Sequence, residues 1–137
     1  MREILFRGKR YMDGEWVDGS LFIDEKKEKH EILVGYVNYR YGWEVDPATV
    51  GQYTGQDKNG KKIFEGDYWI DEEGDILVVE YRKCQFCFVA YGYDDELFGF
   101  GEVGELDCVP LDYYYLNQIE IVGNIHDNPE LLKGEEK

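Results

Sequence analysis

The sequence has few of the features that mark secreted or membrane-bound proteins. Its 137 residues include only three cysteines, three prolines and two histidines. No apolar run is long enough to cross a bilayer, and the N-terminal segment MREILFRGKR lacks the apolar core and small-residue cleavage site of a signal peptide. Three cysteines without a secretory signal are typical of free thiols in a reducing compartment. We therefore expect a cytoplasmic protein with no membrane contact.

Basic residues are scarce in the C-terminal part of the chain. Fifteen Lys and Arg stand against thirty Asp and Glu, which gives a net charge of −15. Residues 1–62 contain eleven of each sign, whereas residues 63–137 contain four basic and nineteen acidic residues, a difference equal to the whole net charge. Such a surface repels nucleic acid, so we expect no direct nucleic-acid binding. The chain length predicts a single domain over residues 1–137, and the asymmetry leaves open two lobes, 1–62 charge-neutral and 63–137 strongly acidic.

Aromatic residues make up 16% of the chain, which is enough to build a hydrophobic core. The segments around them have the residue patterns of β-strands. Strand-like runs separated by turn signals occupy residues 2–9, 15–23, 32–39, 61–70, 76–82, 84–91 and 118–125. Gly14 and the segment DEEGD at 71–75 mark turns, while Asp46 and Asn128, each followed by proline, mark the starts of short helices. Irregular connections are predicted at 24–31 and 92–108, with a short strand as an alternative within the second. The pattern predicts an all-β or mainly β fold, a barrel or sandwich with one or two short helices.

The segment GQDKNGKK at 55–62 differs by one letter from the nucleotide-binding P-loop G-x-x-x-x-G-K-[ST]. Lys62 stands where Ser or Thr would ligate magnesium. The residues that follow have the alternation of a strand, whereas a P-loop is followed by a helix. Asn59-Gly60 between lysines is a strong hairpin signal, so we predict a hairpin here and no phosphate-binding loop.

The acidic clusters do not match a known calcium loop. In DEEGDI the glycine comes too early for an EF-hand, and the twelfth residue from Asp71 is Arg82 where a bidentate Glu is needed. The carboxylates at 94–96 are most simply a solvated loop. The sequence therefore predicts no calcium site.

Two of the cysteines, Cys84 and Cys87, form a C-x-x-C pair. A zinc site would need two more ligands from Cys108, His30 and His126, and none has a suitable spacing. A redox pair would need a helix N-terminus, whereas this segment is strand-like. The favoured interpretation is that these cysteines are small buried apolar residues.

No residues form a recognisable catalytic pattern. A Cys–His pair or a carboxylate pair that meets only in the folded chain stays open. Trp43, Trp69 and the tyrosine run at 112–117 leave open a stacking platform for bases or sugars, although most such rings in a β protein belong to the core. We therefore assign no catalytic, cofactor-binding or metal-binding residue, and no cofactor.

Three segments in order resemble the YopX-like family of phage and prophage proteins. They are the opening REILFRGKR…GEWVDG, the segment DPATVGQYTGQDKNGKKIFEGD at 46–67, and the closing IEIVGNIHDNPELL at 119–132. The resemblance spans essentially residues 1–132, and 92–116 contributes little to it. The stretch FEGD…EEGDILVVEY also resembles the opening of a small SH3-like barrel, which is an analogy of fold alone.

The resemblance implies a phage or prophage protein whose family has no established biochemical activity, so it supplies no functional residues. We expect an accessory protein of the bacterial cytoplasm that acts by protein–protein contact or by self-assembly as a homo-oligomer. The alternative is an acidic DNA mimic that inhibits a nucleic-acid-binding protein of the host. A hydrolase with a cryptic Cys–His or carboxylate site is the third hypothesis. The sequence alone does not identify the partner, the oligomeric state or any role for the three cysteines.

Overall fold

The protein is mainly β and divides into two compact units, residues 1–56 and 57–137. The computed structural model describes residues 3–36, 40–58, 60–82, 84–94, 99–103, 109–111 and 120–133. Within these ranges lie twelve β-strands, and 3-10 helices at Pro47–Thr49 and Pro129–Lys133. The prediction of a mainly β chain with short helical segments is therefore confirmed.

The first unit is an antiparallel sheet in the order β4-β3-β2-β1-β5. Its strands are β1 (Phe6–Lys9), β2 (Trp16–Asp24), β3 (Lys29–Tyr36), β4 (Arg40–Val45) and β5 (Gly51–Lys58), the last of which continues into the second unit. The predicted turn between β1 and β2 is present, and Gly14 has the positive φ of +73° that such turns need. Strand β3 begins at Lys29, within the segment predicted to be a loop.

The core of the first unit contains Ile32 and Val45, both with 0% exposure. Gly19 of β2 lies so close to β3 that an added Cβ would stand 2.2 Å from the carbonyl oxygen of Leu33. The predicted N-cap is also present, because the Asp46 side chain accepts a hydrogen bond from the amide of Ala48 at 3.0 Å. The segment that follows is a single 3-10 turn.

The second unit contains a sheet in the order β10-β9-β8-β7-β12, with β11 paired to β9. The unit's strands are β6 (Lys61–Phe64), β7 (Asp67–Ile70), β8 (Ile76–Arg82), β9 (Gln85–Asp94), β10 (Gly99–Glu102), β11 (Val109–Pro110) and β12 (Gly123–Asn124). All described pairs in this sheet are antiparallel.

Both faces of the second sheet are buried. Leu77, Val79 and Phe88 pack with Ile63 and Leu111 on one face. On the other face, Tyr68, Ile76 and Val78 pack together, and partly buried apolar side chains pack against them. Because successive residues of a strand point to opposite faces, burial of both faces explains why β8 begins with the continuous apolar run ILVV.

Several predicted elements differ from the structure. The run 61–70 is two strands, separated by a turn at Gly66, where φ is +91°. The strand predicted over 118–125 is reduced to Gly123–Asn124 among the described residues, β4 was not predicted, and only the hairpin at the end of β5 was. The described strands form two sheets that do not close into a barrel, so an SH3-like arrangement stays a prediction.

Candidate functional site

The P-loop-like segment folds as a hairpin whose lysines lie together. Strand β5 ends at Lys58, β6 begins at Lys61, and the two strands are neighbours in one sheet. Gly60 has φ +79°, a conformation that glycine adopts without strain. Since a strand and not a helix follows the glycine, the predicted hairpin is confirmed and the segment lacks the helix N-terminus of a P-loop.

A pocket of about 260 Å³ opens beside this hairpin in the second unit. Its lining residues come from the hairpin and from the segment that leads into β12: Lys58, Lys61, Lys62, Ile63, Glu120 and Ile121. Ile63 is 1% exposed and belongs to the apolar cluster of the second unit, against which Ile121 also packs. The pocket therefore combines lysine residues of the hairpin with apolar residues that belong to or pack against the core cluster.

The charge of this pocket is opposite to that of its surroundings. Residues 57–137 contain twenty acidic and only seven basic residues, and three of those seven line the pocket. One carboxylate, Glu120, faces them. The hairpin therefore contains the densest group of basic residues in this part of the sequence.

The size of the pocket limits what it can hold. Sites for drug-sized ligands and cofactors enclose roughly 300–1,000 Å³, whereas this pocket has about 260 Å³. One or two side chains of an extended segment, a carboxylate together with an aliphatic group, match both its volume and its mixed lining. Ammonium groups bind carboxylates as point charges, without the fixed geometry of a guanidinium.

Parts of two segments that carry the family resemblance, FEGD and GNIHDNPE, meet in the same unit. Asn124 is paired with Asp67 across β12 and β7, and the amide of Ile125 donates to the carbonyl of Gly66 at 2.9 Å. Asp67 is 4% exposed and accepts a hydrogen bond from the amide of Phe64 at 2.9 Å. The carboxylate thereby closes the tight turn between β6 and β7, which is a structural role.

The loop after β12 is organised by the buried side chain of Asn124. Its carbonyl oxygen accepts from the amides of His126 at 3.0 Å and Asp127 at 2.9 Å, and its amide donates to the Asp127 carboxylate. The imidazole of His126 lies over Gly66, where an added Cβ would be 3.3 Å from Nε2. These contacts hold the loop after β12 against the turn between β6 and β7.

A polar network across β8, β9 and β10 was not predicted. Arg82 donates to both carboxylate oxygens of Glu102, at 2.6 and 3.2 Å, and to Glu80 at 3.0 Å, while the Tyr91 hydroxyl donates to the other oxygen of Glu80. The hydrogen bonds to Glu102 raise the pKa of Arg82, and burial together with the bond to Glu80 raises the pKa of Tyr91. Both groups therefore stay protonated, and the network acts as a cross-strand brace.

The acidic turn at 71–75 is a rigid hairpin tip. One oxygen of the Asp71 carboxylate accepts from the amides of Glu73 and Asp75, both at 2.9 Å. The described residues contain no group of three or more His, Cys, Asp or Glu side chains that could hold a metal ion. Burial raises the pKa of Asp75, and the charges of Asp71 and Glu73 raise it further.

Replacement of Asp75 by asparagine is expected to change how stability depends on pH. The pKa of Asp75 is raised in the folded chain, so the folded state binds its proton more tightly than the unfolded state, and stability falls as pH rises from the ordinary value of 3.8 through the raised one. Asp75→Asn removes this loss of stability. The free energy of unfolding of the variant should therefore rise relative to that of the wild type as pH increases through this range. Denaturant titrations at a series of pH values measure the difference.

The exposed Glu72 of the same turn provides the control for this titration. Glu72→Gln makes the same change of charge at an exposed position, whereas Asp75 is half-buried. A stability difference for Asp75→Asn that is constant with pH, or one that Glu72→Gln reproduces, would contradict the assignment.

The cysteines depart from the sequence prediction. Cys87 has 0% exposure, as predicted, but it is disulfide-bonded, so the expectation of free thiols is wrong there, and the cysteines no longer support a reducing compartment. Cys84 is a free thiol but is exposed, in the turn between β8 and β9 with φ +65°, so the prediction of burial is wrong for it. Cys108 lies outside the described residues.

The other candidate residues have structural surroundings. His30 lies in β3 opposite Val45, and its Nδ1 atom is buried without a hydrogen-bond partner. Trp69 packs edge-on against Phe88 in the core of the second unit, with ring centroids 6.2 Å apart. Trp43 lies under the guanidinium of Arg10, 4.2 Å from the ring centroid. The tyrosine run at 112–117 and the carboxylates of 95–96 lie outside the described residues.

The fold and the pocket together describe a mainly β protein with a small pocket lined by lysine and isoleucine residues. Among the described residues, no helix is long and apolar enough to span a membrane. The sequence matches the family described as YopX protein over residues 5–133, nearly its whole length. The chain therefore belongs to the YopX family, as the sequence motifs predicted. No curated protein matches it.

Proposed function

We propose that this YopX-family protein is a phage- or prophage-encoded accessory protein of the bacterial cytoplasm that acts by protein–protein contact. Its lysine-lined pocket receives an acidic segment of a partner chain. The observation that carries the proposal is the combination of Lys58, Lys61 and Lys62 with the apolar wall of Ile63 and Ile121 in one pocket of about 260 Å³. Family membership supports the phage or prophage assignment.

The chemistry of the pocket favours a peptide segment over a cofactor. The lysines neutralise carboxylates, while Ile63 and Ile121 bury an aliphatic side chain beside them. An extended segment with acidic and aliphatic residues supplies both groups from neighbouring positions. An SH3-like arrangement of residues 64–81 stays a prediction, and the binding proposal does not depend on it.

The test is affinity capture from a bacterial lysate, followed by measurement with the purified partner. The variant Lys58→Glu/Lys61→Glu/Lys62→Glu reverses the pocket charge. We expect it to weaken the binding of a captured partner by at least about tenfold, which corresponds to roughly 1.4 kcal/mol or more. Above about 0.15 M salt, binding to the wild-type protein should weaken as salt rises, because the pairs are partly exposed.

A charge-matched control is available in the first unit. Lys26→Glu/Lys27→Glu/Lys29→Glu makes the same change in net charge around the turn between β2 and β3, where Lys29 makes only an exposed ion pair with Glu44. The control should bind like the wild type. Equal loss in both variants, or no loss in the pocket variant, would refute the pocket as the binding site.

The acidity of the second unit supports a second candidate, a DNA mimic that blocks a nucleic-acid-binding protein. Residues 57–137 carry an excess of thirteen acidic over basic residues. For a mimic, the captured partner would bind nucleic acid, duplex DNA would compete for it, and reversal of the pocket lysines would leave binding unchanged or strengthen it. The same capture experiment therefore separates the two functions.

The hydrolase hypothesis loses one of its nucleophiles. Cys87 is disulfide-bonded and fully buried, so it has no thiolate to offer. The His126 imidazole lies over Gly66 in the turn that closes onto β7. A protein–protein function requires neither residue to react.

A further inference from the structure

The hairpin tip at 71–75 has the features of a ligand for the lysine-lined pocket. Glu72 and Glu73 are exposed, and Ile70, directly before the tip, keeps 47% of its surface in solvent. The tip therefore presents carboxylates and an aliphatic side chain from neighbouring positions. This is the combination that the pocket, with its lysines and its isoleucines, can accept.

The tip is also held in one conformation. In addition to the two amides that donate to the Asp71 carboxylate, the Asp71 amide donates to the carbonyl of Asp75 at 3.0 Å, and the Gly74 amide donates to the carbonyl of Asp71 at 3.1 Å. Gly74 has φ +85°, which suits glycine. A rigid tip loses little conformational entropy when it binds, which favours it over a flexible acidic segment.

We propose that the pocket binds the 71–75 tip of a second copy of this chain. The proposal rests on the proposed function and names the acidic segment. The acidic tip of one copy is attracted specifically to the lysines of the other copy. Most of the remaining charged residues in 57–137 are acidic and repel the tip. A reciprocal pair, in which each copy inserts its tip into the other's pocket, gives a closed two-fold dimer with two identical contacts.

The contact is small, so the dimer is weak. One tip in a pocket of about 260 Å³ buries much less than the ~1,200 Å² of a stable interface. We therefore expect a dissociation constant in the micromolar range or above, and a monomer–dimer equilibrium that depends on concentration.

The net charge of −15 gives the equilibrium a distinctive salt dependence. At about 0.01 M salt the Debye length is ~30 Å, so the two acidic chains repel each other as a whole. At about 0.15 M it falls to ~8 Å, which screens the distant charges while the direct Lys–Glu pairs persist. At about 1 M these pairs are screened as well. Dimerisation should therefore be strongest at intermediate salt.

Sedimentation velocity of the full chain, from low micromolar to millimolar concentration, tests the contact by charge reversal. The pocket variant Lys58→Glu/Lys61→Glu/Lys62→Glu and the tip variant Glu72→Lys/Glu73→Lys should each shift the dimer dissociation constant upward by at least about tenfold. An equimolar mixture of the two should form a heterodimer, because each tip then meets a pocket of opposite charge. The Lys26→Glu/Lys27→Glu/Lys29→Glu control should dimerise like the wild type.

The proposal would be overturned by a wild-type chain that stays monomeric throughout this range of concentration. It would also be overturned if the two variants failed to form a heterodimer when mixed. Thermal unfolding of each variant verifies that the exposed substitutions leave the fold intact. Failure here is distinct from failure of the proposed function. If the wild type is monomeric but the pocket variant still loses a captured partner, the pocket binds an acidic segment of another protein.

Discussion

Replacement of Gly19 by alanine is expected to destabilise the first unit by more than about 3 kcal/mol, beyond the usual range for an overpacked site. The added Cβ would stand 2.2 Å from the carbonyl oxygen of Leu33 and 3.1 Å from Cγ2 of Ile32. The nearer atom belongs to the backbone of β3, so no side-chain rotation relieves the clash. Strands β2 and β3 would have to separate, and the hydrogen bonds between them would weaken.

Chemical denaturation, with far-ultraviolet circular dichroism as the readout, measures this loss. Gly101→Ala is the matched control, because Gly101 also lies in a strand and an added Cβ there meets nothing within 4 Å. Alanine has less freedom than glycine in the unfolded chain, so this control should be neutral or slightly stabilising. Similar losses in both variants would show that the close approach of β2 and β3 is not the cause.

The elements that the sequence predicted best carry a local signal strong enough to decide their structure. The run 76–82 was predicted and found as β8, because four consecutive apolar residues stand between the acidic turn at 71–75 and charged residues. The helical turn after Asp46 follows from a cap residue and a proline, which act within three residues. The hairpin at Gly60 depends on two residues alone.

The missed strands lack such a signal. In β5, the sequence GQYTGQDK has two glycines and few β-formers, and its strand conformation depends on pairing with β1. The reverse error occurred at 118–125, where the alternation of IEIVGNI is typical of a strand. Among the described residues of this run, 120–125, Ile121 packs against the core, and Gly123–Asn124 form the strand that pairs with β7.

The pocket could be predicted only in part. The sequence places three lysines around a turn at 58–62, which is visible as the failed P-loop pattern. Its opposite wall, Glu120 and Ile121, comes from a distant part of the chain through long-range packing, and no local pattern indicates that contact. The Arg82–Glu102 pair was missed for the same reason, since residues 92–108 were interpreted as an irregular connection.

Replacement of Phe88 by alanine is expected to cost the second unit about 3–5 kcal/mol, the usual effect of removing a buried phenylalanine ring. Phe88 has 0% exposure and belongs to the cluster of Ile63, Leu77 and Val79. Its ring also meets Trp69 edge-on. The loss combines the transfer of the ring from the core with the cavity that remains, and chemical denaturation with Trp fluorescence measures it.

The same substitution links the core to the pocket, because Ile63 belongs to both. A cavity beside Ile63 lets the apolar wall relax, so Phe88→Ala should weaken binding at the pocket even where the chain is still folded. Tyr93→Ala is the control, because Tyr93 lies on the same strand, keeps 55% exposure and meets Phe100 edge-on outside the buried cluster. It should cost no more than ~1.5 kcal/mol, the upper value for an aromatic pair, and leave binding unchanged. If Phe88→Ala destabilises the chain but binds like the wild type, the wall formed by Ile63 does not depend on the core, and the lysines alone determine what the pocket accepts.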